Sequence, residues 1–314
     1  AKNANLEGVH VDNSLGVGVN GVIPSEFFDG LRQNMSIRTL SLDECDVSRR
    51  SWFAILRAFC RINSCLTELS LSDCGLGDTR IYVVAAILRH CTQIEEVNLP
   101  GNDIDHTLLV EIVPAIRGHA NLVSLNLCRN GIGRTACGIL AAFLRGPSCN
   151  LITLDLSENQ IDDNCAMTLA NALARNTKLE NLHLDDNGAI TESGWEAFSC
   201  VMCDTSSINN TYFSNHTLNY FGIDEDELID DLSFYLDLNK NANKSQVAIQ
   251  KILHHHNHFD MRPLFPLDLK VLPIVIGWFG RARACAEDKM DLDTRLLTAV
   301  YQFFQAMPLL LLPA

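Results

Sequence analysis

Two carboxylate pairs, Asp155 with Glu158 and Asp185 with Asp186, and a histidine run of His254, His255, His256 and His258 carry the residue types that could do chemistry. Paired carboxylates serve general acid–base catalysis or hold a cation. Asp185 and Asp186 are adjacent in an extended segment, however, where successive side chains leave on opposite sides. No nucleophile or positioned base accompanies either pair, and no Gly-rich phosphate loop, HExxH or GxSxG occurs. We therefore expect no enzyme, no catalytic residue and no cofactor. His254 and His258 stand at the i, i+4 separation used for zinc on a helix. The run also marks a helix end before Phe259, and an exposed polar helix end is the simpler reading, so no metal site is assigned. Cys200 and Cys203 form a CxxC late in a helical stretch, without the strand and turn that precede a redox motif.

The elements that position these residues recur. Aliphatic residues at Ile37, Leu66, Ile94, Leu122, Leu151, Leu179 and Ile208 open copies of one unit, spaced 28 or 29 residues apart. A degenerate copy opens at Leu6, with Val9 and Val11 in the matching places. Counting each opener as zero, offsets 3 and 5 are apolar, as in Leu40 and Leu42, Leu125 and Leu127, or Leu154 and Leu156; the copy at Ile208 offers Thr211 and Phe213. Such alternation predicts a short strand with one buried face. The period then changes: Leu109, Ile112, Val113 and Ile116 are spaced as one face of a helix. In the copy opened by Leu179, Ser193 and Glu196 predict a capping box. Offset 8 holds Asn102, Asn130, Asn159 and Asn187, or Cys45, Cys74 and His216. A buried Asn needs partners, and the turn backbone of a neighbouring copy can supply them.

A repeated strand, turn, helix and return stacks into an array with parallel strands inside and helices outside. The LxxLxLxxN/C pattern on this period resembles leucine-rich repeats of the ribonuclease-inhibitor-like class over about residues 37–218. That resemblance implies a horseshoe of the α/β class and a binding role. The class includes cytosolic inhibitors, activators of small GTPases and sensor domains of immune receptors. We read residues 1–36 as a degenerate N-terminal repeat, 37–220 as the repeats and 221–314 as a helical C-terminal cap. Within the last part, GIDEDELIDDLSFYLDLNK predicts one amphipathic helix and NANKS leads into another, from about Gln246 to His254. Two more are expected near Leu267–Ala286 and Asp291–Ala306. SNHTL, LNKNANKS, HFDMRP and LKVLPIVIGWF are similar to a C-terminal extension that recurs in other leucine-rich-repeat proteins.

Offsets 2, 4, 6 and 7 should face the concavity. Asp12, Asp43, Glu44, Glu68, Asp73, Glu96, Asp155, Glu158, Asp185 and Asp186 are acidic there, and Arg129 alone is basic. Arginines such as Arg57, Arg89, Arg117, Arg145 and Arg175 fall instead in the helical halves. An acidic concavity steers a basic partner, and His183 and Tyr212 are its candidate aromatic anchors. The expected partner is thus a basic protein or peptide, bound by a monomer. With 38 acids against 24 Lys and Arg, the formal charge of −14 argues against nucleic acid. No apolar run reaches membrane-spanning length. Twelve cysteines sit mostly at repeat positions as small apolar fillers, and no signal peptide is visible, which fits an intracellular protein.

Overall fold

The computed structural model describes residues 6–11, 25–31, 34, 36–45, 47, 49–60, 65–223 and 228–256. Seven three-residue strands lie parallel in chain order: β1 (Gly8–His10), β2 (Thr39–Ser41), β3 (Glu68–Ser70), β4 (Glu96–Asn98), β5 (Ser124–Asn126), β6 (Thr153–Asp155) and β7 (Asn181–His183). After each of them comes one helix: α1 (Ser25–Leu31), α2 (Arg49–Phe59), α3 (Asp78–His90), α4 (His106–Ile116), α5 (Arg134–Leu144), α6 (Asp163–Leu173) and α7 (Glu192–Met202). A crossover helix after every strand is what makes neighbouring strands parallel.

The register follows the leucines. Val9 pairs with Leu40, Leu40 with Leu69, and so on to Leu154 with Leu182, so offset 3 meets offset 3 in every copy. The β1 pairing thereby places the degenerate first copy in the same array. From Leu40 to Leu182 these side chains are fully buried, as are Leu42, Leu71, Leu127 and Leu156 at offset 5. A shift of one residue would turn this row out to water, so burial sets the register. The cysteines act as apolar fillers: the eleven described ones are free thiols, seven of them buried. Burial pushes the Cys60 and Cys74 thiols up to about 12.

Offset 8 binds one copy to the next. Asn102 Oδ1 accepts from the amides of Cys74 and Leu76 (2.9 and 3.3 Å), while its Nδ2 donates to the carbonyls of Leu71 and Pro100 (2.7 and 3.0 Å). Asn130, Asn159 and Asn187 repeat the pattern on the copy before each. Where cysteine replaces Asn, only the donor half survives: Cys74 Sγ reaches Leu42 O at 2.8 Å. The return segments carry a second ladder that the sequence pattern did not announce. Asn176 Nδ2 donates to Leu144 O, and its Oδ1 accepts from the amides of Lys178 and Leu179. Asn215 does the same for Leu173 O and the amides of Thr217 and Leu218.

This second ladder corrects the last copy. Residues Ile208–Tyr212 form a helix, α8, capped by Ser207, and Thr211 sits inside it. The strand expected at Thr211 and Phe213 lies later, where Leu182 N and Leu184 N donate to Tyr220 O and Phe221 O and Asn181 bridges Tyr220. The copy therefore opens at Leu218, three residues after Asn215, as Leu179 opens three after Asn176. The return after α7 accommodates an extra helical turn because backbone pairing with β7, not chain length, fixes where the next strand must lie. The capping box is corrected too. Thr191 caps α7, its amide and hydroxyl held by the Asp163 carboxylate of the preceding helix at 2.7 and 2.8 Å, so the helix starts before Ser193.

Helices α9 (Asp230–Asn239) and α10 (Lys244–His255) cover this end, matching the two amphipathic segments expected there. Helix α9 packs on α7, and α10 packs on α8 and α9. Fully buried Lys251 ties them together, its ammonium donating to Met202 O (2.7 Å) and Asn215 O (3.2 Å) and lying 3.3 Å from His216 Nδ1. It replaces a missing carboxylate with carbonyls at the end of α7, where the helix dipole favours a cation. The further helices expected near 267–286 and 291–306 lie outside the described residues.

Two measurements check these joints. Asn102→Ala strips partners from two buried amides and two carbonyls, and should cost about 2–4 kcal/mol in chemical denaturation. Burial lowers the Lys251 pKa to about 7. Between that value and the unfolded one near 10.4, the unfolded chain binds the extra proton. Lys251 therefore contributes a stability that rises with pH across this window. Lys251→Met should remove that part of the slope when thermal unfolding is compared from pH 7 to pH 10.

Candidate functional site

On the open face of the sheet, side chains at offsets 2 and 4 leave the strands and those at offsets 6 and 7 leave the turns that follow. The turn geometry is uniform. Offset 7 has positive φ in each of the six copies from β2 to β7: Glu44 (56°), Asp73 (53°), Gly101 (66°), Arg129 (53°), Glu158 (52°) and Asp186 (52°). This left-handed region suits Gly and is tolerated by Asp, whereas Glu and Arg adopt it at a cost. The charged residues of that row therefore stand out from the turn into solvent on a strained but rigid backbone.

The acids divide into two groups by their partners. Asp43 accepts from Ser41 Oγ (2.6 Å), Ser70 Oγ (2.8 Å) and Ser72 N (2.9 Å). Burial alone would raise its pKa, but these donors outweigh it and hold the carboxyl below its usual value. Asp155 accepts from Ser157 N, and Asp185 from Ser157 Oγ at 2.5 Å. The other Asp185 oxygen is buried without a partner, beneath Gly222, where an added Cβ would meet it at 2.2 Å. Glu44, Glu96, Glu158 and Asp186 are exposed, and Glu68 is half-buried with its carboxylate 3.3 Å from Thr39 Oγ1. Asp12 lies outside the described residues. Asp185 and Asp186 do face different surroundings, one covered and one in water. The Ser157 hydroxyl donates to Asp185, and the Cys128 thiol stands 3.8 Å from Glu158 Oε1.

Arg129 is not a free cation. Its guanidinium reaches Asp73 at 2.6 Å, crossing two copies of the repeat. The residue between them is Gly101, and a Cβ there would meet Asp73 Oδ1 at 2.1 Å and Arg129 Nη2 at 2.9 Å. Beyond this pair, toward the C-terminal end, half-buried Cys128 has its thiol pushed up to about 11 by burial, with Asp155 and Glu158 adding to the effect.

The aromatic anchors are only partly those expected. His183 stands beside Asp155 in the β6–β7 register. Its ring meets Tyr220 edge-on, with centroids 5.2 Å apart. Tyr220 is 44% exposed. It went unrecognised because the last copy was placed at Ile208; the Asn215–Leu218 spacing is the signal that finds it. Tyr212 lies on α8, packed edge-on against Phe213, away from the strand row. His216 is half-buried, and its desolvation, with Lys251 beside it, lowers its pKa to about 4. The histidine run serves the cap: His254 lies on Phe234, His255 accepts from Tyr235 Oη at 2.7 Å, and His256 meets Thr211 Oγ1 at 3.0 Å. These three rings face different partners, and His258 lies outside the described residues. Cys203 of the CxxC is buried at the end of α7, which raises its pKa, while Cys200 is exposed.

A family model described as "Leucine Rich repeat" matches residues 63–79 and 148–170. Among known proteins, the chain is 29% identical over 153 residues to a bovine (Bos taurus) NACHT, LRR and PYD domains-containing protein 3, covering 48% of this chain and 15% of that protein. The mouse (Mus musculus) protein of that name is 31% identical over 47% of this chain and 14% of its own length. The human (Homo sapiens) NACHT, LRR and PYD domains-containing protein 5 is 25% identical over 66% of this chain and 17% of its own length. The chain thus spans about a sixth of these relatives. Taken with the parallel strand–helix array, the matches make it a leucine-rich repeat protein. This fold is a scaffold for binding proteins rather than an enzyme fold. Among the described residues, no helix is long and apolar enough to cross a membrane.

The ion pair separates strain from charge. Gly101→Ala must hold a positive φ and displace both partners, and should cost about 1–2 kcal/mol in urea denaturation. Arg129→Gln removes only the half-exposed pair and should cost less than about 1 kcal/mol.

Proposed function

We propose that the chain is a non-enzymatic interaction module that binds a basic protein or peptide through the C-terminal half of its acidic concave strip. One grouping carries the reading: Asp155 pairs in register with His183, whose ring meets Tyr220, and Glu158 and Asp186 stand on the turns that follow β6 and β7. An exposed tyrosine face attracts a Lys or Arg side chain, and the surrounding carboxylates steer that cation inward. Glu44, Glu68 and Glu96 extend the field along the strip, while Asp43 and Asp185 are held by serines and act through charge alone. Tyr212 belongs to this surface only if the partner reaches past the sheet edge.

The same reading takes the repeats as ribonuclease-inhibitor-like, residues 1–36 as a degenerate first unit and the segment after the last strand as a cap. It places the molecule inside the cell, as a monomer; one alternative is that it is the sensor fragment of a larger receptor, and the relatives are longer proteins whose names set LRR beside NACHT and PYD domains. Regulation of a small GTPase is the other alternative. It would need a cation offered to a nucleotide site, and Arg129, the one candidate in the strip, is engaged by Asp73.

Affinity capture from cell extract at low and high salt, read by mass spectrometry, tests the proposal. Wild-type chain should retain basic proteins that elute as salt rises. A Glu158→Lys, Asp186→Lys, Tyr220→Ala variant, with folding checked by thermal unfolding, should lose them. Asp185 is left intact because its buried oxygen makes reversal there a folding test instead. Retention of the same partners by the variant would refute the concave site.

A further inference from the structure

The outer face of the array carries a second surface of opposite character. From α2 to α6 the fifth residue of the helix points outward in the same place: Phe53 on α2, Tyr82 on α3, Val110 on α4 and Met167 on α6, with Gly138 on α5; on α1 and α7 the acids Asp29 and Glu196 take that place. Those four apolar side chains are 46%, 56%, 51% and 48% exposed. The helices pack side by side in chain order, so the residues form one ridge. Four residues further along α3, α4 and α5, on the same face, stand the small residues Ala86, Pro114 and Ala142, with Arg57 on α2 and Asn171 on α6. Three residues beyond the small ones come Arg89, Arg117 and Arg145, and Arg175 and Lys178 follow the end of α6.

Arginine at a helix C-terminus complements the helix dipole, which accounts for one cation per helix. It does not account for an apolar ridge running parallel to the row. Between Leu66 and Lys178 the helical carboxylates are Asp78 and Asp163, which open α3 and α6 at the end away from the arginines, and Glu111. Glu111 engages Arg89 at 3.5 Å. Arg117, Arg145, Arg175 and Lys178 form no ion pair among the described residues. The last three line a cleft of about 390 Å³ between the ends of α5 and α6, with no acid in its wall.

We propose that this convex surface docks an acidic, amphipathic helical segment of a protein partner, with its apolar face on the Tyr82–Val110–Met167 ridge and its carboxylates on the arginine row. The spacing supports a helix. Neighbouring helices lie about 8–10 Å apart, and a helix crossing them advances about 10.5 Å in seven residues. Acids at every seventh position therefore meet successive arginines. Four helices are spanned by roughly 16–20 residues. Charge complementarity selects this occupant, since a basic or neutral amphipathic helix would leave the arginines facing no counter-charge. The surface lies on the opposite side of the array from the concave strip and does not depend on it.

Synthetic 21-residue amphipathic helices, one with glutamate at every seventh position and one with lysine there, provide the probes in fluorescence anisotropy against the full chain. The glutamate peptide should bind at least tenfold more tightly than the lysine peptide, and less tightly as salt rises. Its affinity should fall at least tenfold for Arg117→Glu, Arg145→Glu, Arg175→Glu together, and separately for Val110→Asp with Met167→Asp. It should be unchanged for Glu158→Lys with Asp186→Lys on the concave face. All substituted side chains are exposed or half-buried, and unchanged thermal unfolding confirms each fold. Undetectable binding at 100-micromolar order of peptide (about 100 μM, −5.5 kcal/mol by the affinity relation), equal binding of the lysine peptide, or survival of binding in either convex variant would overturn the proposal. So would self-association in sedimentation that the arginine variant abolishes, because the occupant would then be a second copy.

Discussion

Backbone polar groups buried at the turn of each repeat must find partners, and no repeat can satisfy its own. The rest of the architecture depends on this. A three-residue strand and a tight turn leave amides at offsets 8 and 10 and a carbonyl at offset 5 facing the neighbouring copy, and an unpaired buried amide costs as much as a lost hydrogen bond. The Asn side chain, with two donors and an acceptor, closes all three at once. That is why Asn102 and Asn187 are buried polar residues in an otherwise aliphatic core. It also explains why stability passes from copy to copy rather than residing in any one of them.

The same requirement governs the ends of the array. In the return segments Asn176 and Asn215 perform for the helix ends what the first ladder performs for the turns, and Asn239 continues the series by donating to Leu218 O. Beyond the Tyr220 position, the described residues hold no further strand of the sheet. Lys251 and the histidines of α10 take over, bonding to carbonyls and hydroxyls left open by α7, α8 and α9. The polar residues that looked available for chemistry in this region are thus consumed by capping.

Most of the fold was legible because its information is local and periodic. Alternation over Leu125 and Leu127, helical spacing over Leu109 to Ile116, and Asn at one offset are each short-range signals, repeated until chance is excluded. The failures came where the period broke. Ile208, Thr211 and Phe213 satisfy the spacing of an opener and a strand, yet they form α8, because arithmetic on the chain cannot see that the strand must pair with β7. Once the copy was misplaced, Tyr220 was invisible and Tyr212 took its role. Which of the acids are free depends on hydroxyls one copy away, such as Ser70 for Asp43 and Ser157 for Asp185.

By itself, the sequence determined the repeat, its α/β composition and the strand register, because side-chain hydrophobicity and period are properties of the chain alone. Only the tertiary structure decided which charges meet. Arg129 and Asp73 are 56 residues apart and become a pair because Gly101 between them has no side chain. Phe53, Tyr82, Val110 and Met167, each an unremarkable surface residue on its own helix, become a ridge only when the helices stack in register. Stacking converts positions separated by a whole repeat into neighbours, and that proximity has no local signature for the sequence to carry.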